Sequence, residues 1–287
     1  MTRDRICLVQ FPHPGREWGP DRGSSLRSWT QLQEGHGRKY IRHSGRFSWD
    51  GITVQDGEIG FWGEWEAPSS VTPIEHHETG GPKWIHEPTT DVQGMPEKRQ
   101  NTDPYVFGGF FYTGCKQEKR LRSGGWAPTA MQRLAAGSVI LFGSTIADDF
   151  VVDTVFVVSD GRPHNQHDFH TVLRDQVPAA YWDVMLRPWY ADDSGGRSYR
   201  LYRGATIANR EAGIFSFIPC LPFPDAGRGF LRPRIDLKGI VNPGSLQANR
   251  LTVLDNIGAI IPLWRSVVEQ VLKQGCALGV AIAEVPG

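Results

Sequence analysis

Residues 138–159, SVILFGSTIADDFVVDTVFVVS, carry the clearest β-strand pattern in the chain. Val, Ile and Phe dominate two runs within this stretch and favour strands, whereas the Gly, Ser and Asp residues that bound the runs favour turns. Neither run alternates between apolar and polar positions, so we expect both faces of each strand to be covered. The stretch therefore predicts two neighbouring, buried strands in a β-rich protein.

Similar apolar runs on both sides of this stretch predict further strands. They lie at residues 5–11, 106–112, 198–205, 213–223 and 277–285. Residues 256–274 instead predict an amphipathic helix, because their apolar side chains fall mainly on one helical face and Gly275 follows as a stop. The 33 Gly and 20 Pro residues indicate that long helices are few. We predict an α+β fold dominated by a β-barrel or a strongly bent mixed sheet, with a C-terminal helix.

The N-terminal part of the chain is more polar and predicts long loops. Residues 16–50 are rich in Gly, Arg and His and predict an ordered loop that holds one short helix at most. Residues 52–66 predict a hairpin that turns at residues 55–57. We therefore expect long N-terminal loops to fold over one face of the β-structure.

Length and charge restrict the class of protein. We expect one compact domain over residues 1–287, with a loop-rich part at 1–104 and a barrel-like core with the C-terminal helix at 105–287. The 31 Lys and Arg residues balance 31 Asp and Glu residues, so any nucleic-acid contact must be a local patch rather than a broad positive surface. The sequence shows no signal-peptide core and no apolar run of membrane length, which predicts a cytoplasmic protein without a membrane partner. The pattern leaves the oligomeric state open.

Basic and imidazole side chains cluster in the predicted N-terminal loops. His13 lies at a Pro-Gly turn after a predicted strand, and Glu17, His36, Arg38 and Lys39 follow in the next loop. Arg and Lys bind phosphate well, and His or Glu can transfer protons. We therefore assign Arg38 and Lys39 to phosphate binding, and His13, Glu17 and His36 to proton transfer if the protein is an enzyme. The alternative is that all of them are solvated loop residues.

Residues 61–66, FWGEWE, set aromatic rings beside carboxylates. In a strand, Phe61 and Trp65 face one side, whereas Trp62, Glu64 and Glu66 face the other. The second face suits a nucleobase, because an indole can stack on the ring while carboxylates accept hydrogen bonds from its amino edge. The alternative is an indole that packs in the core with its N–H satisfied. We assign stacking to Trp62, and the residues assigned to reading the base edge are Glu64, Asn101, Asp103 and Gln117.

Asp153 interrupts the second apolar run of residues 138–159. A carboxylate inside a buried strand is costly unless it is paired or hydrogen-bonded. Asp153 must therefore either tie down a neighbouring loop or lie at the edge of a site.

Other chemistry has weaker support in the sequence. His164, His167 and His170 recur every third residue and could bind a metal if they shared one helical face. We assign no metal ligand, because this spacing matches no known ligand motif. The sequence has no P-loop, GxGxxG, GxSxG or HExxH motif and indicates no particular cofactor.

Two short motifs resemble parts of known families. LYRGA (201–205), followed by FSF (215–217), resembles the first motif of arginine-type ADP-ribosyltransferases, which implies that Arg203 holds a dinucleotide phosphate and that Ser216 is the later serine. No ExE motif follows later in the chain, as it does in those enzymes. SVILFGS with FVVDTVFVV resembles the barrel strands of PUA-like domains, which include ASCH and EVE modules, many of which bind RNA or modified bases.

A broader resemblance covers most of residues 1–220. HPGRE, HGRKY, FWGEWE, NTDPYVFG, YTGCKQ, ILFGS and VVDTVFVV are together similar to an uncharacterised bacterial and phage family grouped with nucleotide-modification-associated domains. This similarity implies base modification or phage defence, and it transfers no established catalytic residue.

The sequence favours recognition of a nucleotide or nucleic-acid base, with modification of that base if the protein is an enzyme. Reader and enzyme are not distinguished by the sequence. One rival is an enzyme independent of nucleic acid, either an ADP-ribosyl-type transferase that uses Arg203 or a metal-dependent hydrolase that uses residues 164–170. The other rival is a non-catalytic interaction module whose tryptophans only fill the core.

Overall fold

Strands provide most of the regular structure in this computed structural model, which describes residues 3–18, 37–90, 102–191, 197–245 and 249–286. The strands are β1 (Ile6–His13), β2 (Lys39–Ser48), β3 (Gln55–Gly63), β4 (Ser69–Pro73), β5 (Trp84–Pro88), β6 (Phe111–Tyr112), β7 (Glu118–Arg120), β8 (Trp126–Pro128), β9 (Val139–Ile146), β10 (Asp149–Asn165), β11 (Ser198–Gly204), β12 (Ile218–Pro222), β13 (Arg250–Leu254) and β14 (Ala277–Ile282). The helices are α1 (Phe169–Leu173), α2 (Ala179–Tyr181), a π-helical turn (Trp182–Leu186), α3 (Arg187–Ala191) and α4 (Ile257–Lys273). Short 3-10 turns occur at Ala130–Arg133, Arg174–Gln176 and Asp225–Arg228.

The first sheet contains the two strands predicted from residues 138–159. β9 and β10 pair antiparallel, β9 also pairs parallel with β1, and the full order is β13, β1, β9, β10, β11, β6. β9 is buried from Val139 to Ser144, and β10 is buried from Phe150 to Val158. The prediction of two neighbouring buried strands is confirmed.

The second sheet closes on itself. Its order is β14, β12, β3, β2, β5, β4, and a further pairing joins β14 to β2. β2, β3, β12 and β14 therefore form a closed four-stranded barrel, which confirms the predicted barrel in its coarse form. Strands from both predicted parts of the chain, 1–104 and 105–287, contribute to this barrel.

The N-terminal part contains more strand than its polar sequence predicts. Residues 39–48 of the predicted 16–50 loop form β2, and the hairpin from β2 to β3 turns at residues 49–54 rather than at 55–57. The middle of β2 is polar and partly exposed, and its buried residues lie near its ends. Pairing with β3, β5 and β14 makes this segment a strand. Residues 19–36 of the predicted loop lie outside the described residues.

The predicted C-terminal helix is confirmed as α4. Its buried side chains, Ile260, Trp264, Val267 and Val271, recur at helical spacing. Gly275 follows the helix with a φ of +79°, a conformation that glycine adopts easily. None of the described helices is long and apolar enough to cross a membrane.

Neighbouring aromatic residues of FWGEWE enter different apolar clusters. Phe61 and Trp65 pack in one cluster, together with Tyr105 and Phe107, whereas Trp62 packs in the other. The Trp65 indole N–H also donates to a backbone carbonyl, at 2.8 Å. This separation is the one predicted from strand alternation, and it places Trp62 on the side of the molecule described next.

Candidate functional site

Five nearly inaccessible side chains form one connected network of charged and imidazole groups. Its members are His13, Arg38, Glu64, Asp153 and Arg232. Glu64 Oε2 lies 3.0 Å from His13 Nδ1 and 3.1 Å from Arg38 Nη1. Asp153 Oδ2 lies 2.8 Å from Arg38 Nε, and Asp153 Oδ1 lies 3.3 Å from Arg232 Nη1. Two guanidinium groups thus face two carboxylates, and we call this set the buried network.

A β-bulge directs Asp153 into the buried network. The pairing of β10 with β9 shifts at Asp153, which is the extra residue of its strand. On β9, a Cβ added to Gly143 would lie 2.0 Å from the carbonyl oxygen of Val151, so only glycine fits beside the bulge. Asp153 ties together the segments that carry Arg38 and Arg232, which is one of the two roles predicted for it.

Arg38 is the central cation of the buried network. It lies just before β2, where its backbone bridges to that of Glu17. Although burial alone would lower it, the carboxylates of Glu64 and Asp153 hold the pKa of Arg38 above its ordinary value. Among the described residues, its Nη2 atom has no hydrogen-bond partner. Arg38 is thus an enclosed cation, and its assignment to phosphate binding stays a prediction.

His13 is held in the neutral state at the end of β1. Burial lowers the pKa of His13, and the Glu64 carboxylate opposes this only in part. A neutral imidazole whose Nδ1 faces a carboxylate carries its proton on that nitrogen, so the lone pair is on Nε2. A carboxylate that orients a histidine in this way is typical of general bases.

A second buried carboxyl group, Asp103, lies near Glu64. Its oxygens accept hydrogen bonds from the backbone N–H groups of Thr113, at 2.9 Å, and Cys115, at 3.0 Å. Burial raises the pKa of Asp103 well above its ordinary value; the two N–H donors oppose this rise, and Glu64 and Glu66 add to it. Asp103 can therefore act as a proton donor.

A cavity of about 580 Å³ opens beside the buried network. Trp62 and Arg232, both nearly buried, form its back, and Glu17 lies in its wall. Its exposed lining residues are Arg16, Thr79, Gly80, Ile146, Leu231 and Arg234. We call this space the arginine cavity, because three guanidinium groups line it.

Trp62 supports the back of the arginine cavity. Its Nε1 donates to the Phe230 carbonyl oxygen at 2.8 Å, and Tyr40 meets its ring edge-on at a centroid distance of 5.6 Å. The Arg232 guanidinium lies 4.9 Å from the ring centroid, and only 5% of Trp62 is exposed. The predicted stacking of a base directly on Trp62 does not agree with this geometry, because Arg232 already covers the ring.

Arg232 is the site residue that sequence reasoning missed. It lies in an irregular segment after β12, where its Nη1 donates to Ser144 Oγ at 2.8 Å and its Nη2 donates to the Gly15 carbonyl oxygen. Burial lowers the pKa of Arg232, and Asp153 opposes this in part. One signal in the sequence was the pair of arginines on either side of Pro233.

Glu17 is fixed in the wall of the arginine cavity by the backbone. Its Oε1 accepts hydrogen bonds from the N–H groups of Lys83, at 2.7 Å, and Trp84, at 3.0 Å. Burial raises the pKa of Glu17, and these two donors oppose the rise. The carboxyl group therefore has one defined orientation. Two other predicted site residues, His36 and Asn101, lie outside the described residues.

Two predicted ligand-binding residues form structural hydrogen bonds instead. Lys39 Nζ donates to the Ala67 carbonyl oxygen at 3.1 Å and to Ser69 Oγ at 3.4 Å, and only 1% of the residue is exposed. Gln117 bonds the backbone N–H and C=O of Arg200 at 2.8 and 2.7 Å. Both side chains connect segments of the protein to each other, so phosphate binding by Lys39 and base reading by Gln117 stay predictions that this geometry does not support.

The residues that resemble an ADP-ribosyltransferase motif form no accessible site. Arg203 is exposed on β11 and donates to the Gln176 carbonyl oxygen at 3.1 Å. Ser216 is fully buried, and its Oγ accepts from the Val157 N–H at 2.9 Å and donates to the Val157 carbonyl oxygen at 3.3 Å. A dinucleotide cannot reach this hydroxyl, so the predicted phosphate-binding role of Arg203 has no support from its surroundings.

The three histidines at residues 164–170 do not share a helical face. His164 is buried in β10, whereas His167 and His170 are exposed, in a turn and in α1. Among the described residues, no three His, Cys, Asp or Glu side chains are placed to hold a metal ion. The alternative of a metal-dependent hydrolase at this cluster therefore gains no support.

His164→Gln is expected to reduce the loss of stability in acid. Burial lowers the pKa of His164 to about 4, from 6.5. The unfolded chain binds this proton near pH 6.5 and the folded protein only near pH 4, so stability falls as the pH decreases through this window. Between pH 8 and pH 5, His164 should lower the free energy of unfolding of the wild type by about 2 kcal/mol. Urea unfolding should show that this contribution is absent from the variant. Equal losses in both proteins would contradict this prediction.

Two features of the described residues can support a function. The buried network holds a neutral histidine beside carboxyl groups, and the arginine cavity borders it through Arg232. No protein-family model, no curated protein and no solved structure matches the chain. The geometry of these two features is therefore the basis for assigning a function.

Proposed function

We propose that the protein binds a nucleotide, or one nucleotide unit of a nucleic acid, in the arginine cavity. The observation that carries the proposal is that guanidinium groups, a carboxyl group and an indole line one cavity of about 580 Å³. Small-molecule sites measure roughly 300–1,000 Å³. A nucleotide combines an anionic phosphate, a flat ring and a polar base edge, and this lining has a partner for each.

The flat ring of a base fits between aliphatic side chains at the opening of the cavity. Ile146 and Leu231 are 42% and 52% exposed there, and exposed large apolar side chains at a cavity are typical of ligand sites. Behind them, the nearly buried Arg232 lies over Trp62 and closes the inner end of the cavity. In this proposal Ile146 and Leu231 contact the faces of the base, the role predicted for Trp62, and Arg232 and the indole support the cavity from behind.

Glu17 and Arg234 supply the polar contacts. The Glu17 carboxyl group, oriented by two backbone N–H groups, accepts a hydrogen bond from the amino edge of the base. Arg234 Nη1 lies 3.0 Å from Asp149 Oδ2 in a solvent-exposed ion pair. A phosphate can replace this partner at little cost, because exposed ion pairs contribute little stability.

Modification of the bound base is the second part of the proposal. Arg232 belongs to both the cavity and the buried network, so it connects a bound ligand to the network that contains His13. His13 Nε2 is the candidate proton acceptor, and Asp103 is the candidate proton donor. The setting implied by the family resemblance is base modification or defence against phage.

Calorimetric titration with the nucleoside 5′-monophosphates tests the proposal. We expect at least one of them to bind, and Arg234→Ala to lower its affinity roughly tenfold or more, because a hydrogen bond to a charged group contributes about 1.5–3 kcal/mol. Arg187→Ala is the matched control, since it removes another exposed arginine, which lies on α3 and pairs with Asp183. The absence of binding at millimolar nucleotide, or an equal loss in both variants, would overturn the proposal.

A further inference from the structure

We propose that the ligand is a single-stranded nucleic acid and that Leu231 separates two of its successive bases. This inference rests on the proposed function and extends it to a second cavity, of about 730 Å³. The two cavities share Leu231, Arg232 and Arg234, so they lie on either side of one ridge. Each cavity is large enough for one nucleotide.

The ridge is anchored at both ends by hydrogen bonds. The Phe230 carbonyl oxygen accepts from Trp62 Nε1 at 2.8 Å. The Gln274 side chain bonds both the N–H and the C=O of Arg234, each at 2.9 Å. Between these anchors Leu231 remains 52% exposed. A solvent-exposed leucine on a backbone fixed at both ends is suited to insertion between bases. Some nucleic-acid-binding proteins insert apolar side chains between base steps in this way.

The second cavity offers polar partners for a second nucleotide. Arg228 lines the second cavity but not the first, whereas Arg234 lines both. Cations are therefore present on each side of Leu231. They can contact successive phosphates. Asp225 and Glu78 also line the second cavity, and carboxylates accept hydrogen bonds from the amino groups of bases.

Charges of both signs surround the ridge. Four arginines and three acidic residues line the two cavities together: Arg16, Arg228, Arg232, Arg234, Glu17, Glu78 and Asp225. Such a mixed surface cannot bind phosphates by charge alone, so contacts to the bases must supply much of the affinity. This matches a chain whose formal net charge is zero.

A single strand fits this surface better than a duplex does. Insertion of Leu231 requires two neighbouring bases to separate, which costs less in a single strand than in a paired stack. The cavities also place polar groups where the unpaired edges of splayed bases would lie. A dinucleotide joined through a pyrophosphate also carries two bases and could fill both cavities. The experiment must therefore distinguish it from a nucleic-acid strand.

Fluorescence anisotropy with a labelled, mixed-sequence single-stranded hexanucleotide, as DNA and as RNA, tests the inference. We expect the better hexanucleotide to bind at least about tenfold more tightly than the best mononucleotide, because a second base adds a stacking contact. Arg228→Ala should remove most of this gain and leave mononucleotide affinity within about twofold. Leu231→Ala should weaken hexanucleotide binding more than mononucleotide binding, and Arg187→Ala should change neither.

The outcomes separate this inference from the proposed function. If mononucleotides bind but the hexanucleotide binds no better, or if Arg228→Ala has no selective effect, the inference is wrong and the proposed function stands. If a duplex of the same sequence binds as tightly as the single strand, the proposed insertion of Leu231 between two bases is wrong. If a pyrophosphate-linked dinucleotide binds as tightly as the hexanucleotide, the ligand is a dinucleotide rather than a nucleic-acid strand. If nothing binds, the proposed function also fails.

Discussion

Arg38→Met is expected to lower the free energy of unfolding by about 3–5 kcal/mol, the loss typical when one partner of a buried ion pair is removed. Arg38 lies between Glu64, at 3.1 Å, and Asp153, at 2.8 Å, and all three side chains are almost fully buried. Methionine has a similar length but no charge, so the variant would leave Glu64 without its arginine and Asp153 with Arg232 alone. Urea denaturation at pH 7.5, followed by tryptophan fluorescence, measures the loss.

A more exposed arginine, on β2, provides the control. Arg42 pairs with Glu58 at the surface, where both side chains are more than a third exposed. Arg42→Met should therefore change the free energy of unfolding by less than about 1 kcal/mol. If Arg38→Met costs no more than this control, the buried network does not hold the fold together in the way that its geometry implies.

Gly143→Ala is expected to lower the free energy of unfolding by about 3 kcal/mol, at the upper end of the usual cost of overpacking. The new Cβ would lie 2.0 Å from the Val151 carbonyl oxygen and 2.9 Å from the Phe150 ring. The contact with a backbone atom cannot be relieved by rotation of a side chain, so β9 and β10 must move apart beside the bulge at Asp153. The same shift would move the Asp153 carboxylate away from Arg38 and Arg232.

Gly125→Ala is the matched control for this substitution. No atom lies within 4 Å of a Cβ built at Gly125, which is exposed between β7 and β8. The control should therefore stay within about 0.5 kcal/mol of the wild type in the same urea experiment. A loss of the same small size in Gly143→Ala would mean that the two strands can separate easily, and that the bulge does not depend on glycine.

Local sequence patterns predicted the parts of the fold that local physics determines. The apolar runs at residues 138–159 specified β9 and β10, because strands covered on both faces need apolar side chains at almost every position. The helical spacing of Ile260, Trp264, Val267 and Val271 specified α4. Strand alternation also separated Trp62 from Phe61 and Trp65 before any contact was known.

Long-range partners determined the rest, and no local pattern reveals them. β2 is a strand because three other strands pair with it, although its own middle is polar. The hydrogen bonds of Lys39 depend on Ala67 and Ser69, which lie 28 and 30 residues further along the chain. Arg232 reaches the buried network from an irregular segment, which has no periodicity from which its direction could be predicted.

The family resemblances stay predictions. The closed barrel agrees with a β-barrel in general and does not identify a PUA-like domain. The motifs similar to nucleotide-modification-associated domains supply His13, Arg38, Glu64, Asp103 and Asp153, which the fold gathers in and around one buried network. Arg232 lies outside those motifs, so a test at Arg232 or Arg234 examines the site independently of the resemblance.

The four-stranded barrel also affects how the chain is made. β2 and β3 leave the ribosome as a hairpin, but the ring closes only after β12 and β14 have been synthesised, since β14 pairs with both β12 and β2. Until then, Ile41, Ile59 and Phe61 lack the strands that cover them in the finished barrel. A nascent chain with such exposed apolar surface and unpaired strand edges is prone to aggregate. We therefore expect chaperones to raise the yield of native protein more than they would for a fold built from sequential hairpins.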